Sequence, residues 1–238
     1  MGVLTFEPHP RTVLGRSTEQ FRLTPFRVKL REIASLGVDI LYLARFDEEF
    51  ASLTADQFIS DVLISGLCVS HVVVGYDFAF GKGRAGNYSL LKKYADKGYF
   101  RVTQVDVSRS EAGIYSASKA RDFLKSGDVV SASGILGRLW EIEGRVKTGE
   151  RRGRELGFPT ANLKVLESML PAFGVYAMWV EIQYKEKAEW WPAVGNLGCR
   201  PTFEHAEILL EVHILDFSQD IYGKRLRTCL LYTSDAAD

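Results

Sequence analysis

The chain has 238 residues, 46% of them hydrophobic and 25% charged, and its 30 Lys and Arg balance 30 Asp and Glu. That is enough apolar material for one large domain or two small ones, which excludes a disordered or collagen-like chain. Zero net charge gives no bulk attraction to nucleic acid or to an anionic membrane. The three cysteines, Cys68, Cys199 and Cys229, lie far apart with no CxxC pair, so neither a zinc knuckle nor a disulfide framework is expected. The four histidines show no HExxH spacing, and no apolar run reaches the ~20 residues of a membrane helix. With no signal-peptide layout, a soluble cytoplasmic protein is expected, without nucleic-acid or membrane partners; its oligomeric state is open.

Strand and helix signals alternate in the first half. VLTF (residues 3–6) reads as a buried strand, and a helix follows in which Thr24 caps, Pro25 suits the first turn and Phe26, Leu30 and Ile33 share a face. DILYLA is a second strand. TADQ (residues 54–57) is a capping box opening a helix with Phe58, Val62 and Leu63 on one side. HVVVG, then helical YSLLKKYA, then RVTQVDV continue the pattern to a helical stretch at residues 116–126. Solidly apolar strands alternating with helices predict a parallel α/β sheet. A short helix is expected at residues 128–136, and from Leu139 the chain reads as strands only: EIEGRV, GVYAMWVEIQY, EWWPAVGNL and EILLEVHILDF. That predicts a small antiparallel barrel or sandwich, with domains at 1–130 and 131–238. Opening directly on VLTF, the α/β domain reads as lacking its first strand and helix. The tail TCLLYTSDAAD shows no strand or helix periodicity, so a fragment with a foreign C-terminus is expected.

Five clusters carry candidate chemistry. In residues 144–162, GRVKTGERRGRELGFPTAN, Gly149, Gly153 and Gly157 recur every four residues among Arg151, Arg152 and Arg154. Such a loop brings backbone N–H groups and guanidinium charge to an anion, although no GK[ST] follows to make a Walker loop. After Pro159, Thr160 and Asn162 point the same way in an extended segment, so their oxygens can meet one hard cation such as Mg²⁺. A flexible basic turn before an edge strand reads equally well from spacing alone. In LLEVHIL, Glu211 and His213 share the face opposite Leu210, Val212 and Ile214; the carboxylate is either a general base or part of a solvated face. TFEPHP presents His9 at the carboxyl end of a parallel strand, where open α/β sheets bind ligands, or is simply a rigid loop. GKGRAG (residues 81–86) matches GxGxxG with Asp106 further on, but DFAF separates it from the strand, so a nicotinamide site lacks its tight turn; Asp77 remains as a polar residue at that sheet edge. In SASKAR, Ser116 and Ser118 cap a helix with Arg121 one turn on, an anion site or plain capping.

In combination, TFEPHP, RLTPFRVKL, VVGYDFAFGKGRAG, SASKAR, GRELGFPTAN, NLGCRPTF and EVHILDFSQDIYGKRL resemble the bacterial bifunctional FAD synthetases, riboflavin kinase fused to FMN adenylyltransferase, over residues 3–227. The resemblance implies a Rossmann-like nucleotidyltransferase domain lacking its first strand, then a Greek-key riboflavin kinase β-barrel. The substrates and products would be ATP, riboflavin, FMN and FAD, with Mg²⁺ as cofactor. It implies Glu211 as catalytic base and Thr160 and Asn162 at the metal. His9, Asp77, Ser116, Ser118, Arg121, Gly149, Gly153, Gly157, Pro159, Gly174, Tyr176, Asn196 and Arg200 would contact nucleotide or flavin. In SASKAR, Ala117 replaces a family serine and Ser118 a threonine. The family's HxGH motif precedes TFEPHP and is absent, so little FAD formation is expected, and the flavin-contacting C-terminal helix is replaced by TCLLYTSDAAD. A non-catalytic flavin- or nucleotide-binding fragment and an NAD(P)-dependent oxidoreductase are the alternatives.

Overall fold

Each strand that the apolar runs predict forms, and the first four pair in parallel couples. The computed structural model describes residues 1–15, 20–110, 113–147, 160–165, 167–183, 188–201 and 206–234. The chain divides into two compact units, Met1–Thr18 with Ile33–Tyr115, and Glu19–Glu32 with Ser116–Asp238.

In the first unit, β1 (Gly2–Glu7) leads through α1 (Pro10–Val13), and the chain returns as β2 (Ile40–Arg45) after α2 (Phe26–Ser35). β1 and β2 are parallel, with Leu4 opposite Tyr42 and Thr5 opposite Leu43. α3 (Glu48–Ser52) and α4 (Ala55–Gln57) follow. The capping box at Thr54 is formed: the Gln57 N–H donates to Thr54 Oγ1 at 3.1 Å and the Thr54 N–H to Gln57 Oε1 at 2.9 Å. The helix it opens continues as a π-helix over Phe58–Gly66. β3 (His71–Gly75), α5 (Tyr88–Asp96) and β4 (Arg101–Val105) make the second parallel couple, and β5 (Arg109–Ser110) pairs antiparallel with β6 (Gly113–Ile114). Leu4 and Phe6 from β1, Val72 and Val74 from β3 and Val102 from β4 meet in one core with Phe58, Ile59, Phe80 and Leu91. On the other side of the couples, Leu43, Val73 and Val105 are 50%, 59% and 50% exposed. A parallel sheet ordinarily hides both faces; the described strands form two couples covered on one face.

In the second unit, α6 (Ala117–Lys125) and α7 (Val129–Leu136) precede six strands: β7 (Glu141–Lys147), β8 (Ala161–Lys164), β9 (Gly174–Ile182), β10 (Trp190–Pro201), β11 (Ala206–Ile214) and β12 (Arg225–Ser234). They close an antiparallel barrel in the order β10-β11-β8-β7-β12-β9. Alternate residues fill it, among them Ile142, Leu163, Met178, Leu197, Leu210, Val212 and Leu226. Gly195 is demanded by this packing: a Cβ there would lie 2.2 Å from Met178 Cε. β12 overturns the expectation of a tail without strand character. Its Leu226, Thr228 and Leu230 point inward and are fully buried, but a register shift between Leu230 and Tyr232 breaks the alternation, and Cys229 on the other face is buried too. The strand thus has no clean period of two.

Residues 20–32 belong to the barrel unit although they precede β2. Gln20 Nε2 donates to the Val165 carbonyl at 3.0 Å, Trp140 Nε1 to the Leu23 carbonyl at 3.0 Å, and Arg138 Nη2 to Thr24 Oγ1 at 3.0 Å. Arg31 then reaches two carboxylates on β7. It pairs with Glu141 and, at 3.2 Å, with Glu143; their side chains are 1% and 5% exposed. Arg227 also pairs with Glu141, and Arg225 lies 3.3 Å from Glu143. Two carboxylates this dry are tolerable only because three guanidinium groups surround them.

Removing one of those cations leaves buried negative charge short of compensation. Arg31→Ala should therefore destabilise the barrel unit by on the order of 3 kcal/mol, read as a lower urea midpoint. A change within experimental error would show that the pairs contribute nothing. Burial, then the neighbouring Glu141, pushes the Cys229 thiol from its ordinary 9.0 up to about 12. Since the raised group favours the neutral folded form, its contribution is whole below about pH 9 and is lost as pH climbs toward 12. Cys68 and Cys199 are exposed. A thiol reagent at pH 8 should therefore modify two cysteines quickly and the third only after denaturation.

Candidate functional site

The barrel's register gathers the second-half candidates. β11 lies between β8 and β10, so Glu211 stands opposite Asn162 on one side and opposite Asn196 on the other. β7 extends the line, with Lys147 opposite Asn162. Directly opposed residues of antiparallel strands project to the same face, and neighbouring strands are about 4.8 Å apart. Lys147, Asn162, Glu211 and Asn196 therefore form one transverse row. It lies on the outside, because the residues beside them, Val146, Leu163, Val212 and Leu197, are buried in the barrel core.

Asn162 is the unusual member. It is 9% exposed, and among the described residues its buried Oδ1 has no hydrogen-bond partner. An unpartnered buried acceptor costs about 1–3 kcal/mol. A hard amide oxygen held dry, with a hydroxyl oxygen two residues earlier on Thr160 just ahead of β8, suits Mg²⁺, which takes few protein ligands and completes its shell with phosphate oxygens and water. Among the described residues no cluster of three His, Cys, Asp or Glu gathers for a metal, so a cation here would depend on neutral side-chain oxygens and a substrate's own charge. Glu211 is half-buried, as is His213 two residues on, both between buried neighbours as the alternation predicts.

The remaining expected residues are placed less uniformly. Gly149, Gly153, Gly157 and Pro159 lie outside the described residues. Gly174 starts β9, and Arg200 is described in its backbone, opposite Glu207. Tyr176 is a core side chain: it is fully buried, its hydroxyl donates to the Ala172 carbonyl, and burial lifts its pKa to about 12. Its ring therefore packs the barrel, and the outer row proceeds without it. His9 caps α1 after β1, with Nδ1 accepting the Arg11 N–H at 3.1 Å, and Asp77 is exposed in the turn after β3. Both belong to the first unit, whereas Ser116, Ser118 and Arg121 belong to the second. Ser116 Oγ caps α6 through the Lys119 N–H, and Arg121 Nε donates to the Phe21 carbonyl at 2.9 Å. Two of the GKGRAG glycines, Gly81 and Gly86, serve packing. A Cβ on Gly81 would lie 2.6 Å from the Ala55 backbone, and Phe80 bridges Gly86, so the segment closes on itself and is not a strand-to-helix turn. Lys147 in the row, and Lys164 and Glu207 beside it, were not singled out from the sequence. Their only signal is shared parity with Asn162 and Glu211 along their strands, which means little until the register is known.

Two family models match in tandem: FAD synthetase over residues 1–119 and riboflavin kinase over residues 136–234. A bifunctional riboflavin kinase/FMN adenylyltransferase of Escherichia coli K12 is 40% identical over 229 residues, covering 96% of this chain and 72% of that protein. The Listeria monocytogenes enzyme of the same name is 39% identical over 225 residues, covering 93% of this chain and 70% of its own length. A crystal structure of a macrolide-efflux protein from Streptococcus pneumoniae superposes with a TM-score of 0.83 at 33% identity, covering 98% of this chain and 75% of that one. Among the described residues no helix is long and apolar enough to cross a membrane.

If the Asn162 amide is kept for a ligand, stability and binding should part. Asn162→Leu should raise the unfolding temperature of the protein alone, by relieving the orphaned acceptor. The same variant should lose most of the further stabilisation that Mg²⁺ and ATP give the parent chain. A variant both less stable and equally stabilised by Mg²⁺-ATP would contradict this.

Proposed function

The chain belongs to the bifunctional riboflavin kinase/FMN adenylyltransferase family, and from that premise we propose that the outer row of the barrel is where riboflavin is phosphorylated. The row supports this reading because it sets a carboxylate directly beside a buried oxygen donor that has no partner among the described residues. ATP, riboflavin and FMN are the small molecules of this family's chemistry. The adenylyltransferase-type module is assigned to residues 1–130 and the kinase module to 131–238, and the two family matches fall inside those limits.

Thr160 Oγ1 and Asn162 Oδ1 would hold Mg²⁺, which when bound offsets charge on the β- and γ-phosphate oxygens. The ribityl 5′-hydroxyl oxygen forms a bond to the γ-phosphorus while the bond from that phosphorus to the β,γ-bridging oxygen breaks, releasing ADP. Glu211 accepts the hydroxyl proton as the bond forms. Asn196, on the far side of Glu211, is assigned to orienting flavin or nucleotide. Phosphoryl transfer depends chiefly on such positioning and on charge neutralisation. In the first unit, His9 and Asp77 follow the carboxyl ends of parallel strands, the edge at which open α/β sheets take ligands. They are assigned to nucleotide and FMN on the FAD-forming side.

Glu211→Gln keeps the side chain's shape and removes its basicity. It should lower kcat for FMN formation from riboflavin about 10²–10⁴-fold while ATP binds as before. FMN is quantified by chromatography after incubation with riboflavin and Mg²⁺-ATP. Turnover within threefold of the parent would remove Glu211 from the role of base.

A further inference from the structure

Two ammonium groups, one in the row and one beside it, share one carboxylate. Lys147 is itself in the row, opposite Asn162. Lys164 lies two residues from Asn162 on the same face of β8, opposite Leu209. Glu207, two residues before Leu209, pairs with Lys164 and lies 3.8 Å from the Lys147 ammonium. The three side chains are 50%, 34% and 32% exposed for Lys147, Lys164 and Glu207, so solvent and solutes reach them. Two ammonium groups thus share one carboxylate next to the Asn162–Glu211 pair, and a second anion would relieve the crowding of the two cations.

We propose that Lys147 and Lys164 form an electrostatic seat for the polyphosphate of the nucleotide, with Glu207 as the internal anion that competes for it. The seat rests on the kinase reading of the row and adds to it two positioning residues and a counter-charge. It is built for a chain of phosphates: the lysines flank Asn162 along β8 and across to β7, so several anionic oxygens can be met at once, whereas an uncharged nucleoside gains nothing from them. Glu207 weakens the seat by holding both ammonium groups.

The test is ATP binding without metal, measured by calorimetry in excess EDTA at low and at moderate salt, with adenosine as control. The double variant Lys147→Gln, Lys164→Gln should raise the Kd for ATP about tenfold and flatten its salt dependence, because two screened charge contacts are gone. Glu207→Gln should lower the Kd about threefold, and adenosine binding should stay the same in all three proteins. A purely structural role would move both variants in the same direction. The seat is overturned if ATP affinity is unchanged, if both variants weaken it, or if adenosine follows ATP. The two readings fail separately. Lysine-dependent ATP binding without FMN formation would remove the kinase assignment and leave the seat. FMN formation with lysine-independent ATP affinity would remove only the seat.

Discussion

The pairing register of β11 is the constraint on which the site depends. Side chains along a strand alternate, so a slip by one residue would turn Glu211 into the barrel and push Val212 out to water. The cost of such a slip is high because Leu210, Val212 and Ile214 all fill the core. The same hydrophobic burial that closes the barrel therefore fixes the carboxylate beside Asn162 and Asn196. Register is pinned from both sides, by β8 and by β10, and Gly195 lets Met178 occupy the space that a side chain on β10 would take. The proposed chemistry would sit on a firmly registered wall, and phosphoryl transfer draws its rate from such placement.

That wall is tied down by buried charge as well as by apolar contact. Arg31 comes from α2, far from the barrel in sequence, and meets Glu141 and Glu143 on β7 beside Arg225 and Arg227 of β12. β7 carries Lys147 at its end, where it enters the row. The ion network and the row thus share a strand, and the network restrains one edge of the site while taking no part in its chemistry. Arg227 also lies over the Trp190 ring at 4.9 Å, which extends the restraint to the start of β10.

Much of this was legible in the sequence. The solid apolar runs fixed the parallel strands, the TADQ capping box marked its helix, and the alternation of EVHIL placed Glu211 and His213 outward. Opposition of Asn162 to Glu211 was not legible, because strand register is a long-range property. Residues 20–32 were read with the first domain by their position in the chain; their bonds to Trp140, Arg138 and Val165 cross more than a hundred residues of sequence, and no local pattern reports them. β12 was missed for a local reason. Its bulge and the burial of Cys229 erase the alternation by which strands are recognised. Tyr176 was placed near a ligand by its motif's neighbourhood; the alternation of β9 turns its ring inward, which the motif alone does not report.

The most direct test of the account is to locate a paramagnetic ion on the barrel. With Mn²⁺-ATP added to isotopically labelled protein, the account predicts selective broadening of the Asn162 side-chain amide and of the Glu211 backbone amide. Signals from β9 on the far side of Asn196 should broaden less. Broadening centred elsewhere, with Asn162 and Glu211 left sharp, would contradict it.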